Sequence, residues 1–316
     1  MAPTSHHPSR AHRRLFDFQV NGFAGVDFQR EGLTRDDWHR ALTALHRHGV
    51  ASIFVAQITD SLDALCRRFE AMEQMRGRLL SMAETVAGYH LEGPWLSGER
   101  GYCGAHRAEC MRPPAMADFE RLQAAAGGRI RLVTVAPELP GCIDFIHAVH
   151  ASGVHVSLGH TAAGEKQIDL AIQAGARFCT HLGNATPAVL PRHDNIIQRL
   201  LSRDDLTACF VPDGLHLPAF VLRNLYRAKP PDRVLFTTDA MAGAAAPAGR
   251  YSLGRLDVEV QDNGIARNPD GGFAGSTLTP DEGVRRTAYY LGLSLAESEH
   301  LWSEVPLRAF GPFPAS

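Results

Sequence analysis

Apolar runs in this 316-residue sequence repeatedly end in residues that can hold a metal ion or move a proton. They end in Gln19-Val20-Asn21, His90-Leu91-Glu92-Gly93-Pro94, Gly159-His160-Thr161, Thr180-His181-Leu182, Asp213-Gly214-Leu215-His216 and Thr238-Asp239-Ala240. Neutral imidazole and carboxylate are the common protein ligands of divalent transition metals, and three of them around one open position form a hydrolytic metal site. Glu92, His160 and His181 supply such a set, and Asp239 adds a carboxylate able to accept a proton. Taken singly, each residue reads more simply: a strand-end histidine is usually hydrogen-bonded surface or core, and Asp239 alone would pass for a helix N-cap. Six polar termini on apolar strands are hard to explain by packing, because unpaired buried polar groups destabilise a core.

Eight short apolar or β-branched runs carry these termini: Leu15 to Val20, Ala51 to Ile58, Thr85 to Leu91, Ile130 to Ala136, Val154 to Leu158, Arg177 to His181, Thr207 to Val211 and Arg233 to Thr238. Helical patterns alternate with them, at Asp36 to His48, Ser61 to Met82, Pro114 to Ala126, Ile143 to Ser152, Glu165 to Ala174 and Ala219 to Ala228. Strand–helix alternation predicts a parallel sheet with helical crossovers, and eight repeats predict an α/β chain closed as a (β/α)₈ TIM-like barrel. Functional groups at strand ends fit that architecture, whose sites form at the C-terminal ends of the strands. An open dinucleotide-binding sheet would want a glycine fingerprint after strand one, and Asn21-Gly22-Phe23-Ala24-Gly25 does not match it. After strand eight, Tyr251 to Phe273 breaks the alternation, and its turn at Asp262-Asn263-Gly264 predicts a β-hairpin insertion. Residues 1–14 read as a flexible polar tail and 15–316 as a single barrel domain.

Composition narrows the partners. With 32 Lys+Arg against 34 Asp+Glu, no net field favours nucleic acid or an anionic membrane, and the short basic cluster Arg10 to Arg14 belongs to the tail. No apolar run approaches the ~20 residues needed to cross a bilayer, and no leader segment is evident, so the cytoplasm is the expected location. The 6 cysteines, Cys66, Cys103, Cys110, Cys142, Cys179 and Cys209, show no C-x-x-C or framework spacing, so they are expected to be reduced and mostly core. The expected partner is a small molecule, with a homodimer left open.

Together with Ala274-Gly275-Ser276-Thr277-Leu278, the segments at Glu92, His160, Thr180-His181-Leu182-Gly183-Asn184-Ala185, His216 and Thr237-Thr238-Asp239-Ala240 resemble, in order and spacing, the motifs of the N-acetylglucosamine-6-phosphate deacetylase family of amidohydrolases. The likeness runs from about Asp17 to about Gly283. It implies that Glu92, His160 and His181 hold the metal, that Asp239 is general base and acid, and that His106 binds the substrate carbonyl. It also implies that Asn184 and Ala185 touch the sugar while Arg192 and His216 hold its phosphate, a task suited to the planar guanidinium fork. The implied reaction is metal-dependent hydrolysis of the N-acetyl amide of an amino sugar 6-phosphate, giving glucosamine 6-phosphate and acetate. One divalent ion is expected, zinc first, with iron, cobalt or manganese as alternatives.

Three departures from the family pattern stand out. Gln19-Val20-Asn21 replaces the His-x-His pair that binds a second metal in many amidohydrolases, so a single ion is expected. Thr186 stands where the family usually has Met. Only about fourteen residues precede the first strand, so the small β-sandwich domain of the family is expected to be absent. Two other classes remain open at this point: a related barrel amidohydrolase acting on another amide or on an unphosphorylated N-acetyl sugar, and a non-catalytic barrel that serves as a binding module. Retention of Glu92, His160, His181 and Asp239 together speaks against the second.

Overall fold

A computed structural model of the protein describes residues 14–269 and 271–311. The expected tail, apart from Arg14, and with it nearly all of the basic cluster, lies outside the described residues. Eight strands, Leu15–Val20, Val50–Ile58, Val86–Glu92, Ile130–Val135, His155–Leu158, Ala176–Cys179, Thr207–Phe210 and Val234–Phe236, pair in parallel as neighbours in chain order. A parallel bridge between Val20 and Ala240 joins the first strand to the segment just beyond the eighth and closes the barrel. Each expected strand is present, with ends shifted by two residues at most.

The crossover helices form for local reasons that the sequence carries. In Arg35–Arg47, Thr34 caps the Asp37 amide and Asp37 caps Thr34 in return, which satisfies two orphan donors of the first turn. Trp38, Ala41, Leu42 and Leu45 then recur at helical spacing and are the buried residues of this helix. Full burial of a leucine such as Leu42 or Leu45 contributes about 1.5–3 kcal/mol, and Trp38 stacks on Phe28 with ring centroids 4.7 Å apart.

The structure refines two expectations. The helix expected over Ser61 to Met82 is two, Leu62–Arg76 and Leu80–Thr85: Gly77 caps the first and Leu79 turns extended to bury its side chain. The expected β-hairpin insertion is present, its Asp262-Asn263-Gly264 turn joining Leu256–Val260 to Ala266–Arg267, and a further turn at Gly254 (φ 62°) adds Gly249–Leu253 to make a three-stranded antiparallel sheet. Four further helices are Ile196–Leu201, Pro280–Leu291, Leu295–Trp302 and Glu304–Phe310.

The last of these helices completes the barrel. Phe16, Phe18, Phe54, Leu132, Phe178, Cys209 and Leu235 form an internal cluster from the strands, and Phe310 joins it. Its ring lies 5.0 Å from that of Phe178, 5.1 Å from Phe18 and 5.3 Å from Phe54. Phe310→Ala empties this position, and a cavity of that kind is expected to cost about 3–5 kcal/mol. Urea titration checks it: a loss below about 1 kcal/mol would mean the cluster repacks without the ring.

Candidate active site

Four of the singled-out residues share an unusual backbone. His160 (φ 51°), His181 (φ 30°), Ala185 (φ 49°) and Asp239 (φ 52°) all sit beyond barrel strands with positive φ. A non-glycine residue in such a conformation costs about 1–3 kcal/mol and persists where surrounding structure holds it, typically at functional sites. Glu92 needs no such turn, because it is the last residue of the third strand.

Glu92, His160 and His181 are buried, Asp239 is half-buried, and the four side chains meet. Glu92 Oε1 lies 2.9 Å from His181 Nε2 and 3.2 Å from His160 Nε2, and the two histidine nitrogens are 3.2 Å apart. Gln19 Nε2 donates to Glu92 Oε2 and to Asp239 Oδ1, each at 3.1 Å. Asn21 Nδ2 donates to the same Asp239 oxygen at 2.7 Å. Burial pushes the Glu92 carboxyl upward, but hydrogen bonds from His160 and His181 outweigh it and hold the group well below the carboxylate range. Burial, reinforced by the charge of Glu92, raises the Asp239 carboxyl to about 7. Two neighbouring carboxylates therefore differ in proton affinity, the condition for one to stay charged while the other trades a proton.

The histidines divide by the partner of their second nitrogen. His160 Nδ1 faces the Tyr102 carbonyl at 2.8 Å; a carbonyl only accepts, so Nδ1 carries a hydrogen, and loss of the Nε2 proton that now bonds Glu92 would turn the Nε2 lone pair to the cluster for an ion. His106 is reversed. Its Nδ1 accepts from the Thr59 backbone N–H at 3.3 Å and lies 2.9 Å from Thr59 Oγ1, so in the neutral ring Nε2 is the donor, 4.0 Å from Glu92 Oε2. Burial, then the neighbouring His160, lowers the His106 imidazole to about 3 and keeps it neutral.

The donor set fits a divalent ion. Glu92, His106 and His160 bring one ligand atom each within 4.8 Å of one another, and His181 Nε2, 3.2 Å from His160 Nε2, approaches Glu92 more closely than His106 does. Two imidazole nitrogens turned on one carboxylate oxygen are a nitrogen–oxygen set of the zinc type. The His106 tautomer, with its hydrogen on Nε2, disfavours any set using that nitrogen, and His181 Nε2 is the imidazole nitrogen nearest Glu92 Oε1. Gln19 Oε1 and Asn21 Oδ1, buried beside the cluster, have no hydrogen-bond partner among the described residues, while both amide nitrogens serve the carboxylates.

A cavity of about 350 Å³ opens over this cluster. Glu92, His106, His160, His181 and Asp239 line it, as do Asn184, Ala185 and His216. Asn184 Nδ2 is buried with no hydrogen-bond partner among the described residues. His216 Nδ1 is held 2.6 Å from Asp213 Oδ2, and its ring packs 4.6 Å from that of Phe273. Arg192 is exposed on the loop that follows Ala185 and is not among the lining residues. Sequence reasoning missed the wall given by the insertion, Leu253, Asn268, Gly272 and Phe273, because an irregular glycine-rich stretch carries no periodic signal of where it folds back. It also missed Thr59 and Tyr102, which orient His106 and His160, whereas Asp213, which holds His216, stood in the seventh strand-end motif.

A closed (β/α)₈ barrel with a buried carboxylate, two ligand-ready histidines and a separate carboxylate at one cavity has the construction of an amidohydrolase. No protein-family model matches the chain. It is 32% identical over 299 residues to an N-acetylgalactosamine-6-phosphate deacetylase of Escherichia coli O157:H7, covering 93% of this chain and 76% of that one. It is also 31% identical over 301 residues to the N-acetylglucosamine-6-phosphate deacetylase of Bacillus subtilis (strain 168), covering 95% and 75%. Among solved structures, a mutant N-acetyl-D-glucosamine-6-phosphate deacetylase of Mycobacterium smegmatis, in complex with N-acetyl-D-glucosamine-6-phosphate, superposes with a TM-score of 0.84 at 31% identity, covering 95% of this chain and 77% of that one. The chain belongs to the N-acetylglucosamine-6-phosphate deacetylase family.

Proposed function

We propose that this chain hydrolyses the N-acetyl amide of an amino sugar 6-phosphate, with N-acetylglucosamine 6-phosphate as leading substrate, releasing acetate and the free amine. The observation that carries the reading is the convergence of Glu92, His160, His181 and Asp239 on one cavity that Asn184, Ala185 and His216 also line. Glu92, His160 and His181 would hold a single divalent ion, zinc first and iron, cobalt or manganese as alternatives. When bound, such an ion supplies an acidified water and a Lewis acid for the acetyl carbonyl.

The chain's own residues do the rest. Asp239, raised toward neutrality, takes the proton of the attacking water and returns it to the departing nitrogen as the C–N bond breaks. Gln19 and Asn21 keep its carboxylate aimed. His106 Nε2–H donates to the carbonyl oxygen as charge builds there. The free Nδ2 of Asn184 and the backbone at Ala185 bind the sugar, and His216, steadied by Asp213, takes the phosphate with Arg192 reaching in from its loop. The six unpaired cysteines suit a reducing cytoplasm as the compartment, and no helix among the described residues is long and apolar enough to cross a membrane.

Catalytic efficiency on matched phosphorylated and unphosphorylated N-acetyl sugars tests the phosphate assignment. A charge-assisted contact contributes about 1.5–3 kcal/mol, so Arg192→Ala is expected to lower efficiency on the phosphorylated sugar by roughly 10- to 150-fold and leave the other almost untouched. Equal losses on both, or a wild-type enzyme indifferent to phosphate, would move the substrate to another amide.

A further inference from the structure

The left-handed backbone of Asp239 has to be held by something, and the eight strands do not do it alone. Beyond the insertion, the stretch Ala274 to Leu278 returns to the barrel and forms a parallel bridge from Ser276 to Ala240. Ser276 N–H donates to Asp239 O at 2.9 Å, and Met241 N–H donates to Ser276 O at 2.9 Å. Ser276 Oγ donates to Thr238 O at 2.5 Å. Its oxygen accepts from Leu278 N at 3.1 Å, which fixes the rotamer. Thr238 O and Asp239 O belong to the two peptide groups on either side of the Asp239 Cα, so one buried serine grips both.

The opposite side is held from the first strand. Thr238 Oγ1 donates to Asp17 Oδ2 at 2.5 Å and accepts from Ala240 N at 3.1 Å. Gly275, itself at φ 66°, permits the approach: a methyl there would stand 3.1 Å from Asp239 O and 3.0 Å from Met241 Cβ.

We propose that Ser276 is a positioning residue for Asp239, fixing the φ and ψ that present the carboxylate to Gln19, Asn21 and the cavity. This rests on the reading of Asp239 as the group that moves the proton. Ser276→Ala keeps both backbone contacts and deletes the grip on Thr238 O, so kcat on N-acetylglucosamine 6-phosphate is expected to fall about tenfold, the equivalent of one hydrogen bond, with KM and metal per chain unchanged. Thr277→Ala, which loses only a bond to Gly264 O, leaves kcat as it was. In an Asp239→Asn background, Ser276→Ala should take nothing further from the residual rate, because the serine acts through that carboxylate.

A KM that rises as kcat falls, or the same tenfold loss in the Asp239→Asn background, overturns the positioning role and makes Ser276 ordinary scaffold. Near-wild-type turnover of Asp239→Asn alone would instead remove the assignment of the base. Should Ser276→Ala lack the native circular dichroism spectrum, Ser276→Cys, a poor donor of similar size, is measured in the same way. If neither variant folds, the hydroxyl serves stability and the proposal is overturned.

Discussion

Asp239→Asn is expected to keep its bound metal and native stability while kcat falls about 10²- to 10⁴-fold, the range contributed by a positioned proton-transfer group. The amide matches the carboxylate in shape, but it cannot take the water's proton. It also turns a hydrogen-bond acceptor toward Gln19 Nε2 and Asn21 Nδ2, which now lie 3.1 and 2.7 Å from Asp239 Oδ1, only if its own oxygen occupies that position. Single-turnover acetate release separates a slow chemical step from slow product loss. A variant that retains a large share of wild-type turnover would sink the assignment of the base, whatever the fate of the metal.

His181→Ala should fail differently, losing metal and activity together. Its Nε2 is one of two imidazole nitrogens facing Glu92 Oε1, so its removal leaves a carboxylate and a single histidine, too few for a tight divalent site. Elemental analysis is expected to give one ion per wild-type chain and almost none in the variant. Ligand binding to the native state adds RT ln(1 + [L]/Kd) to stability, so a chelator should lower the wild-type melting temperature and leave that of His181→Ala where it was. Two ions per active chain, or a variant that keeps its metal, would contradict the ligand set.

Both experiments use residues that stood out in the sequence, and the reason is physical. A histidine or glutamate that ends an apolar strand breaks period and polarity together, so Glu92, His160, His181 and Asp239 were visible without any structure. What the sequence reading missed lacks that contrast. Thr59 and Tyr102 act through a backbone amide and a carbonyl on histidines far away in the chain, and nothing local marks them. The barrel strands were readable to within two residues because each is a short apolar run between turns. The third strand of the insertion, only Ala266–Arg267, is too short to show alternation. The same brevity hid Ile196–Leu201, a six-residue helix capped by Asn195, inside what reads as loop.

The position of Phe310 bears on how the chain is made. Every residue assigned to chemistry here has left the ribosome by the time His216 and Asp239 emerge, yet the ring that fills the aromatic cluster follows about seventy residues later. At about 5–20 residues per second, the nascent chain passes several seconds in which Phe16, Phe18, Phe54 and Phe178 have no Phe310 to pack on. Exposed aromatic surface of that kind is what chaperones capture and what aggregation starts from. A nascent chain that has emerged as far as Leu278 would carry all the ligands, the base and Ser276 around strands whose aromatic cluster still lacks Phe310.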